Sequence, residues 1–305
     1  MTREASRHAR LAICLGAIAV LLVVFVKVYG HTPAAAPREP QPALPEIDTA
    51  RLKSEILDAI GSAKGTYGVY FKLLGTSQVV DIRSSEAFFA ASCYKMPLVL
   101  MLYEMAASGE IDLEEKVEYT REDRELGTGI IVGYRYGSQF SLRKLAELAV
   151  VKSDNVAGNM LVRRLGKDRF LEYQTRSGAA VLPVESNVSS PADLGLFAER
   201  LWRFSQDGGE LGDELLGYFI ETEHKDRIAA GLPPQVKVAN KIGTWPGSVN
   251  DVGIVWDGEI NYVLAVMSKD VPSVDAACDV ISALSRRVHE YLKANWELPA
   301  PRVSN

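Results

Sequence analysis

Cysteine and histidine are both scarce in this chain. Its 305 residues include three cysteines, at positions 14, 93 and 278, and none has an obvious disulfide partner. The four histidines are scattered and show no metal-ligand spacing. The sequence therefore predicts a fold that depends on its hydrophobic core, with no disulfide framework, no metal site and no cofactor.

A basic excess and internal repeats are also absent. The net charge is −5, and residues 1–30 carry four basic side chains against one acidic, so residues 31–305 carry −8. An acidic body of that size argues against a nucleic-acid partner. The length suffices for one large domain or two small ones.

The one long hydrophobic run lies near the N-terminus. Residues 11–26 are uninterrupted apolar residues, and Lys27 comes before Val28 and Tyr29. At a helical rise of ~1.5 Å per residue, residues 11–29 reach about 28 Å, which just spans a bilayer core if Lys27 snorkels. The arginines before the run predict a cytoplasmic N-terminus and a single-pass membrane protein with a periplasmic or extracellular body.

A cleaved signal peptide is the alternative, and the body would then be secreted. Alanines at 34–36 look like a cleavage site, although they lie well past the apolar run. Five prolines within residues 31–47 predict an extended spacer, and a tail without a role is equally consistent. The predicted segments are a cytoplasmic tail (1–10), an anchor or signal segment (11–30), a proline-rich linker (31–47), a folded domain (48–298) and a C-terminal tail (299–305).

Three short motifs follow one another in the predicted domain: Ser92-Cys93-Tyr94-Lys95, Ser153-Asp154-Asn155 and Lys241-Ile242-Gly243-Thr244. On a helix, a serine and a lysine three residues apart share one face. A serine hydroxyl needs a base, and lysine serves as one only if desolvation or a nearby cation lowers its pKa. Lys241 is a candidate for that cation, and Ser153 for a proton relay. These are the parts of a serine acyltransferase that needs no histidine.

A second S-x-x-K, formed by Ser141 and Lys144, has a different context. It precedes an apolar run, which predicts that Ser141 caps the start of a helix. The first copy lies between a strand pattern and the apolar residues 96–105. We therefore interpret Ser92 and Lys95 as the catalytic pair.

Hydrophobic periodicity predicts strands at both ends of the domain and helices between them. The expected helices are 49–63, 92–108, 142–151, 155–165, 167–175, 191–203 and 273–296, and the expected strands are 66–74, 78–83, 237–243, 249–256 and 262–268. The two groups of strands should form one antiparallel sheet with helices on its faces. Lys241 would then lie on a strand that lines a cleft, opposite the helix of Ser92.

The chain resembles the class A β-lactamase family of penicillin-recognising serine hydrolases, from about residue 50 to 296. The S-x-x-K, S-D-N and K-T-G set is typical of that family and of penicillin-binding proteins. The resemblance implies an α/β fold of the α+β type, with a five-stranded antiparallel sheet, an all-helical subdomain and the site between them. It is carried by residues 92–100 (SCYKMPLVL), 127–130 (GTGI), 153–161 (SDNVAGNML) and 226–233 (DRIAAGLP), which leads into NKIGTWPG.

The resemblance also implies roles at the matched positions. Ser92 would attack the acyl carbon and Lys95 would deprotonate it. Ser153 would pass a proton to the leaving nitrogen, with Lys241 supporting the electrostatics nearby. Asn155 would hold the side-chain amide of the substrate.

The first departure from the family pattern is Ile242, which replaces the hydroxyl residue that helps to bind the substrate carboxylate. Thr244 and Arg227 are possible substitutes, and Arg227 is alternatively a solvated surface residue. Gly243 completes the candidate substrate-binding residues. The backbone amides of Ser92 and Thr244 would form the oxyanion hole, whose donors are typically worth roughly 2.7–4 kcal/mol each.

The second departure is the apparent loss of the loop that carries the deacylation glutamate. The family has E-x-x-L-N before a T-T-P-like helix start, whereas residues 178–188 are short and lack that motif. Glu185 is the only acid there, and it is either the water-activating base or a solvated loop carboxylate. Because a positioned base contributes roughly 10²–10⁴-fold, its absence predicts an acyl-enzyme that hydrolyses slowly.

The leading hypothesis is a serine hydrolase that β-lactams or acyl-D-Ala-D-Ala-like peptides acylate at Ser92, with weak β-lactam turnover. A D-alanyl-D-alanine carboxypeptidase-like cell-wall peptidase is the first alternative. A non-catalytic β-lactam or muropeptide sensor is the second. The expected partners are a small substrate and the membrane, and the expected state is a monomer.

Overall fold

The computed structural model describes residues 44–184 and 186–296. At its centre lies a five-stranded sheet in the order β2-β1-β9-β8-β7, in which every neighbouring pair is antiparallel. These strands are β1 (Thr66–Leu73), β2 (Val79–Ile82), β7 (Lys237–Trp245), β8 (Ser248–Asp257) and β9 (Ile260–Lys269). Two short pairs lie apart from the sheet: β3 (Phe88–Phe89) with β6 (Val188–Ser189), and β4 (Lys116–Glu118) with β5 (Gln139–Ser141).

Helices cover both faces of the sheet and form two hydrophobic cores. Helices α1 (Thr49–Ile60) and α8 (Val274–Ala294) lie on one face. The other face carries α2 (Lys95–Ala107), α3 (Leu142–Val151), α4 (Asn155–Leu165), α5 (Lys167–Ser177), α6 (Pro191–Asp207) and α7 (Gly209–Ile220). Strand β9 separates the cores: Leu264 and Val266 face the first, and Val263 and Ala265 face the second. This alternation follows from the two-residue period of a strand.

Helix α2 is the centre of the helical part. It is apolar on all sides, and ten of its residues are buried. A helix of this kind must be surrounded by other elements, because no face of it can be left to water. The sequence therefore places the first turn of α2, with Lys95, inside the protein.

The predicted five-stranded antiparallel sheet with an adjoining helical part is confirmed. Ser141 caps α3 by accepting a hydrogen bond from the Lys144 backbone amide at 3.2 Å, so the second S-x-x-K is a helix start. The helix prediction for 92–108 was displaced at its start, since Ser92 lies in a 3₁₀ turn before α2. Helix α7 was missed, because three glycines in twelve residues weaken its helical pattern.

Several predicted segments lie outside the described residues. They are the tail (1–10), the anchor (11–30), most of the linker (31–47) and the C-terminal tail (299–305). Within 44–184 and 186–296, none of the helices has the length and hydropathy that crossing a bilayer requires.

Candidate active site

The candidate nucleophile Ser92 lies on a tight turn between β3 and α2. Residues Ala91–Tyr94 form one 3₁₀ turn, and Ala91 has a φ of +47°, a strained value for a residue with a side chain. Two side-chain amides hold this backbone: Asn187 donates to the Ala91 carbonyl at 2.9 Å, and Asn250 donates to the Phe89 carbonyl at 2.8 Å. Contacts from distant parts of the chain therefore fix the position of the Ser92 hydroxyl.

Lys95 is fully buried and bonded to the nucleophile. Its Nζ lies 3.1 Å from Ser92 Oγ and donates to the Ser153 carbonyl at 2.7 Å and to Asn155 Oδ1 at 2.9 Å. Burial holds the pKa of Lys95 well below its usual range, and the charge of Lys241 lowers it further. An amine with a depressed pKa is the base that a serine nucleophile requires.

A second serine–lysine pair faces the first. The Nζ of Lys241 donates to Ser153 Oγ at 2.9 Å and to the Ile242 carbonyl at 3.1 Å. Ser153 adopts a φ of +52°, another strained backbone position. Burial lowers the pKa of Lys241 to about 8. Both lysines thus have a lower pKa than a surface lysine.

Asp154, between the two site residues of its motif, serves the structure. It is fully buried and accepts hydrogen bonds from the backbone amides of Ala157, Ile130 and Ile131 at 2.9, 2.6 and 2.9 Å. One carboxylate therefore caps α4 and holds the segment 126–131 against it. Gly129 is required there, because a Cβ would lie 2.2 Å from Asp154 Cγ.

Asn155 joins this segment to the catalytic groups. Its Oδ1 accepts from Lys95, and its Nδ2 donates to the Leu126 carbonyl at 3.2 Å. Thr128 Oγ1 donates to the Ser153 carbonyl at 2.7 Å. Since both ends of the Asn155 amide are bonded, a substrate amide would have to share or displace one of these contacts.

Strand β7 passes close behind the nucleophile turn. A Cβ at Gly243 would lie 2.4 Å from the Ala90 carbonyl oxygen, so only glycine permits this approach. Cys93, next to the nucleophile, donates its thiol to the Lys241 carbonyl at 3.3 Å. Burial raises the pKa of Cys93 to about 12, so this thiol is not a nucleophile at neutral pH.

Arg227 is not a surface residue, and that alternative from the sequence was wrong. Its side chain is 2% exposed, with Nη2 donating to Thr244 Oγ1 at 2.6 Å and Nη1 donating to the Asn250 carbonyl at 2.7 Å. The guanidinium lies behind β7, while Thr244 lines the cavity. Arg227 therefore orients the Thr244 hydroxyl and contributes a positive charge from below the site.

Ser92, Ser153, Asn155 and Thr244 line one cavity of about 560 Å³. Sequence reasoning missed most of its lining residues, among them Glu125, Lys167, His224 and Trp245. Burial lowers the pKa of His224, so its ring is neutral at pH 7. The nearness of Glu125 to the G-T-G-I stretch was the only signal available, because the other three come from separate elements. Glu185 lies outside the described residues.

The geometry brings together Ser92, Lys95, Ser153, Asn155 and Lys241, and their catalytic roles stay predictions. In the described part of the chain, no group of three or more histidine, cysteine, aspartate or glutamate side chains could hold a metal ion.

A protein-family model described as the beta-lactamase enzyme family matches residues 51–292. The chain belongs to this family. A beta-lactamase of Bacillus amyloliquefaciens is 24% identical over 287 residues, covering 85% of this chain and 89% of the relative. A beta-lactamase of Mycobacterium tuberculosis is 25% identical over 283 residues, covering 81% and 88%. The chain is therefore a serine hydrolase of the acyl-enzyme type.

Solved structures share the β-lactamase/transpeptidase-like fold. PBP-A is 25% identical with a TM-score of 0.75, covering 83% of this chain and 100% of PBP-A. A PBP-A mutant solved as an acyl-enzyme complex with penicillin G is 24% identical with a TM-score of 0.75, covering 80% and 97%. An ancestral class A beta-lactamase is 22% identical with a TM-score of 0.70, covering 78% and 99%.

Proposed function

We propose that this member of the beta-lactamase family is acylated at Ser92 by β-lactams and releases the acyl group slowly. The observation that carries the proposal is the contact of 3.1 Å between Ser92 Oγ and the fully buried Nζ of Lys95. A buried amine next to a second lysine is neutral enough to accept a proton. The motif set alone does not establish that state, since it depends on burial.

The proposed acylation begins with attack of Ser92 Oγ on the lactam carbonyl carbon, as Lys95 accepts the hydroxyl proton. The backbone amides of Ser92 and Thr244 stabilise the oxyanion. The C–N bond of the lactam then breaks as Ser153 donates its proton to the leaving nitrogen, and the proton that Lys95 accepted restores the Ser153 hydroxyl. Lys241, bonded to Ser153 Oγ at 2.9 Å, favours this transfer because its charge stabilises the serine oxygen as the proton departs.

Binding of the substrate carboxylate falls to Thr244, because Ile242 has no hydroxyl. Arg227 supports this role by donating to Thr244 Oγ1. Slow release follows from the short segment 178–188, which lacks the family's E-x-x-L-N motif. We also propose that residues 11–29 anchor the chain in the membrane and that the catalytic domain lies outside the cytoplasm, on the evidence of hydropathy and flanking charge.

A cell-wall peptidase is the second candidate, and the likeness to PBP-A favours it. PBP-A forms an acyl-enzyme with penicillin G in its mutant form. An enzyme of this kind traps β-lactams because its natural acyl group is a peptide. Release of D-alanine from a pentapeptide would distinguish this activity from β-lactam hydrolysis.

The test is to incubate the purified full chain with penicillin G and follow its intact mass, while nitrocefin reports turnover in parallel. We expect an adduct that persists, and no adduct with the Ser92→Ala variant. Ser141→Ala is the matched control, because Ser141 belongs to the second S-x-x-K and caps α3. Fast turnover with no persisting adduct would contradict slow release. An adduct on Ser92→Ala would contradict the nucleophile.

A further inference from the structure

Among the residues that the structure describes, Glu125 is the single carboxylate that lines the cavity. Its side chain is exposed to the solvent of the cavity. It belongs to the segment 123–131, whose far end is held by Asp154. The proposed function leaves this group without a role, although release of an acyl group by water needs a base.

The position of Glu125 is fixed by contacts on both sides. Asn159 Nδ2 donates to Glu125 Oε2 at 2.8 Å and lies 3.2 Å from the Asp123 carbonyl oxygen. Asp123 is itself held by Arg163, whose Nε and Nη2 donate to its two carboxylate oxygens at 2.7 and 3.0 Å. Glu125 is therefore oriented by an amide on α4 rather than free to rotate in solvent.

Helix α4 connects Glu125 to the reacting groups through two of its asparagines. Asn155, Asn159 and Val162 all line the cavity, so one face of α4 forms its wall. Asn155 bonds Lys95, and Asn159, one turn later, bonds Glu125. One turn is about 5.4 Å, and a water that bridges two groups by hydrogen bonds of about 2.8 Å spans a similar distance. Burial is the main cause of the raised pKa of Tyr94, the residue beside Lys95, and the nearby negative charge of Glu125 raises it further.

We propose that Glu125, oriented by Asn159, activates the water that releases the acyl group from Ser92. The inference rests on the proposed acylation. Water oxygen attacks the ester carbonyl carbon while Glu125 accepts one water proton. The bond from the carbonyl carbon to Ser92 Oγ then breaks, and Glu125 gives the water proton to Ser92 Oγ. The products are a free carboxylic acid and the restored hydroxyl, and no further reactant is needed.

The test separates the two chemical steps in the full chain. Each variant is acylated with penicillin G, excess drug is removed, and the decay of the adduct is followed by intact mass. We expect Glu125→Gln to slow the decay by at least about tenfold, and by up to the roughly 10²–10⁴-fold that a general base contributes, while the acylation rate stays within about twofold of that of the unmodified chain. Glu122→Gln is the matched control, because Glu122 is exposed on the neighbouring turn and does not line the cavity.

A role for Asn159 in positioning predicts non-additive effects. Asn159→Leu should slow the decay of the adduct. In the double variant with Glu125→Gln the adduct should decay no more slowly than in Glu125→Gln alone, because both changes disable the same base. Independent, multiplying effects would overturn the positioning role. Unchanged decay in Glu125→Gln, with slowed decay in Glu185→Gln, would assign the base to Glu185 and overturn the proposal. If no adduct forms even on the unmodified chain, the proposed acylation is what fails.

Discussion

The two walls of the cavity are built in opposite ways. The inner wall is formed by Ser92 and Ser153 at the cavity surface, with Lys95 and Lys241 behind them, and it belongs to the core, since both lysines have no exposed surface. The outer wall, made of segment 125–128 with Lys167, Pro183, Ser186 and Asn187, lies at the surface, and Leu126 is 71% exposed. Acylation groups thus lie in the inner wall, and the proposed release groups lie in the outer wall.

This contrast bears on how the chemistry can vary. A change in the inner wall disturbs packing and several hydrogen bonds together, because Lys95 bonds three groups and Lys241 bonds two. A change at an exposed side chain of the outer wall, such as Leu126, meets solvent and leaves the core intact. A chain of this fold can therefore gain or lose efficient release by altering surface segments, while its nucleophile and base remain as they are.

The largest effect is expected from Lys95→Met, which removes the base from the inner wall. Methionine fills a similar volume with an apolar side chain, so the loss is chiefly chemical, although the Ser153 carbonyl and Asn155 Oδ1 each lose a donor. We expect the acylation rate to fall by about 10²–10⁴-fold. Stopped-flow or mass-resolved acylation by penicillin G measures it.

Lys144→Met is the control for this change, because Lys144 is the exposed lysine of the second S-x-x-K. It should acylate at the rate of the unmodified chain. A thermal melt of each variant establishes that it is folded. If penicillin G acylates folded Lys95→Met as fast as the unmodified chain, another group takes the proton from Ser92.

The inner wall was largely predictable from the sequence, and the outer wall was not. S-x-x-K, S-D-N and the K-x-G strand are local patterns, and the alternation in β9 and its neighbours predicts the sheet that brings them together. The start of α2 was misplaced because the turn at Ser92 is fixed by Asn187 and Asn250. These contacts span 96 and 161 residues, which local patterns do not report.

The burial of Arg227 and the placement of Glu125 in the site escaped sequence analysis for the same physical reason. The burial of Arg227 depends on acceptors from β7 and β8, and an isolated arginine in a sequence is most often solvated. Glu125 depends on Asn159, 34 residues later, for its orientation. In both cases the function of the side chain is set by tertiary partners, and its residue type alone gives no indication of them.

A smaller effect is expected from Asp154→Ala, because Asp154 attaches the outer wall to α4, whose start adjoins Ser153. The change removes a helix cap and leaves the Ile130 and Ile131 amides without their acceptor. We expect about 2–4 kcal/mol of destabilisation from the lost cap and the unsatisfied amides. Urea unfolding measures it.

Asp48→Ala is the matched control, since Asp48 also caps a helix but accepts a single exposed backbone amide, that of Arg51. Its loss should cost about 1 kcal/mol. Equal destabilisation by the two variants would contradict a role for Asp154 beyond capping. Faster release in folded Asp154→Ala would contradict the dependence of release on a fixed outer wall.

The smallest expected effect lies in the pH profile of the acylation rate, which changes about tenfold per pH unit on each limb. These limbs report the protonation of the two lysines of the inner wall. Lys95 must be neutral to accept the proton, so acylation rises with pH through its lowered pKa. Lys241 must be charged to support Ser153, so acylation falls again as pH rises above its pKa of about 8. The acidic groups around it do not reverse this direction, since burial is the largest influence on Lys241 and Arg227 adds to it.

Lys225 provides the control for that assignment, because burial also lowers its pKa to about 8. Its Nζ donates to the Val238 carbonyl at 2.9 Å, and it does not line the cavity. Lys225→Met should keep the alkaline limb, whereas Lys241→Met should acylate slowly and without it. If Lys225→Met lost the alkaline limb and Lys241→Met kept it, the titrating group would lie outside the site. Acylation would then report the stability of the sheet edge rather than the charge next to Ser153.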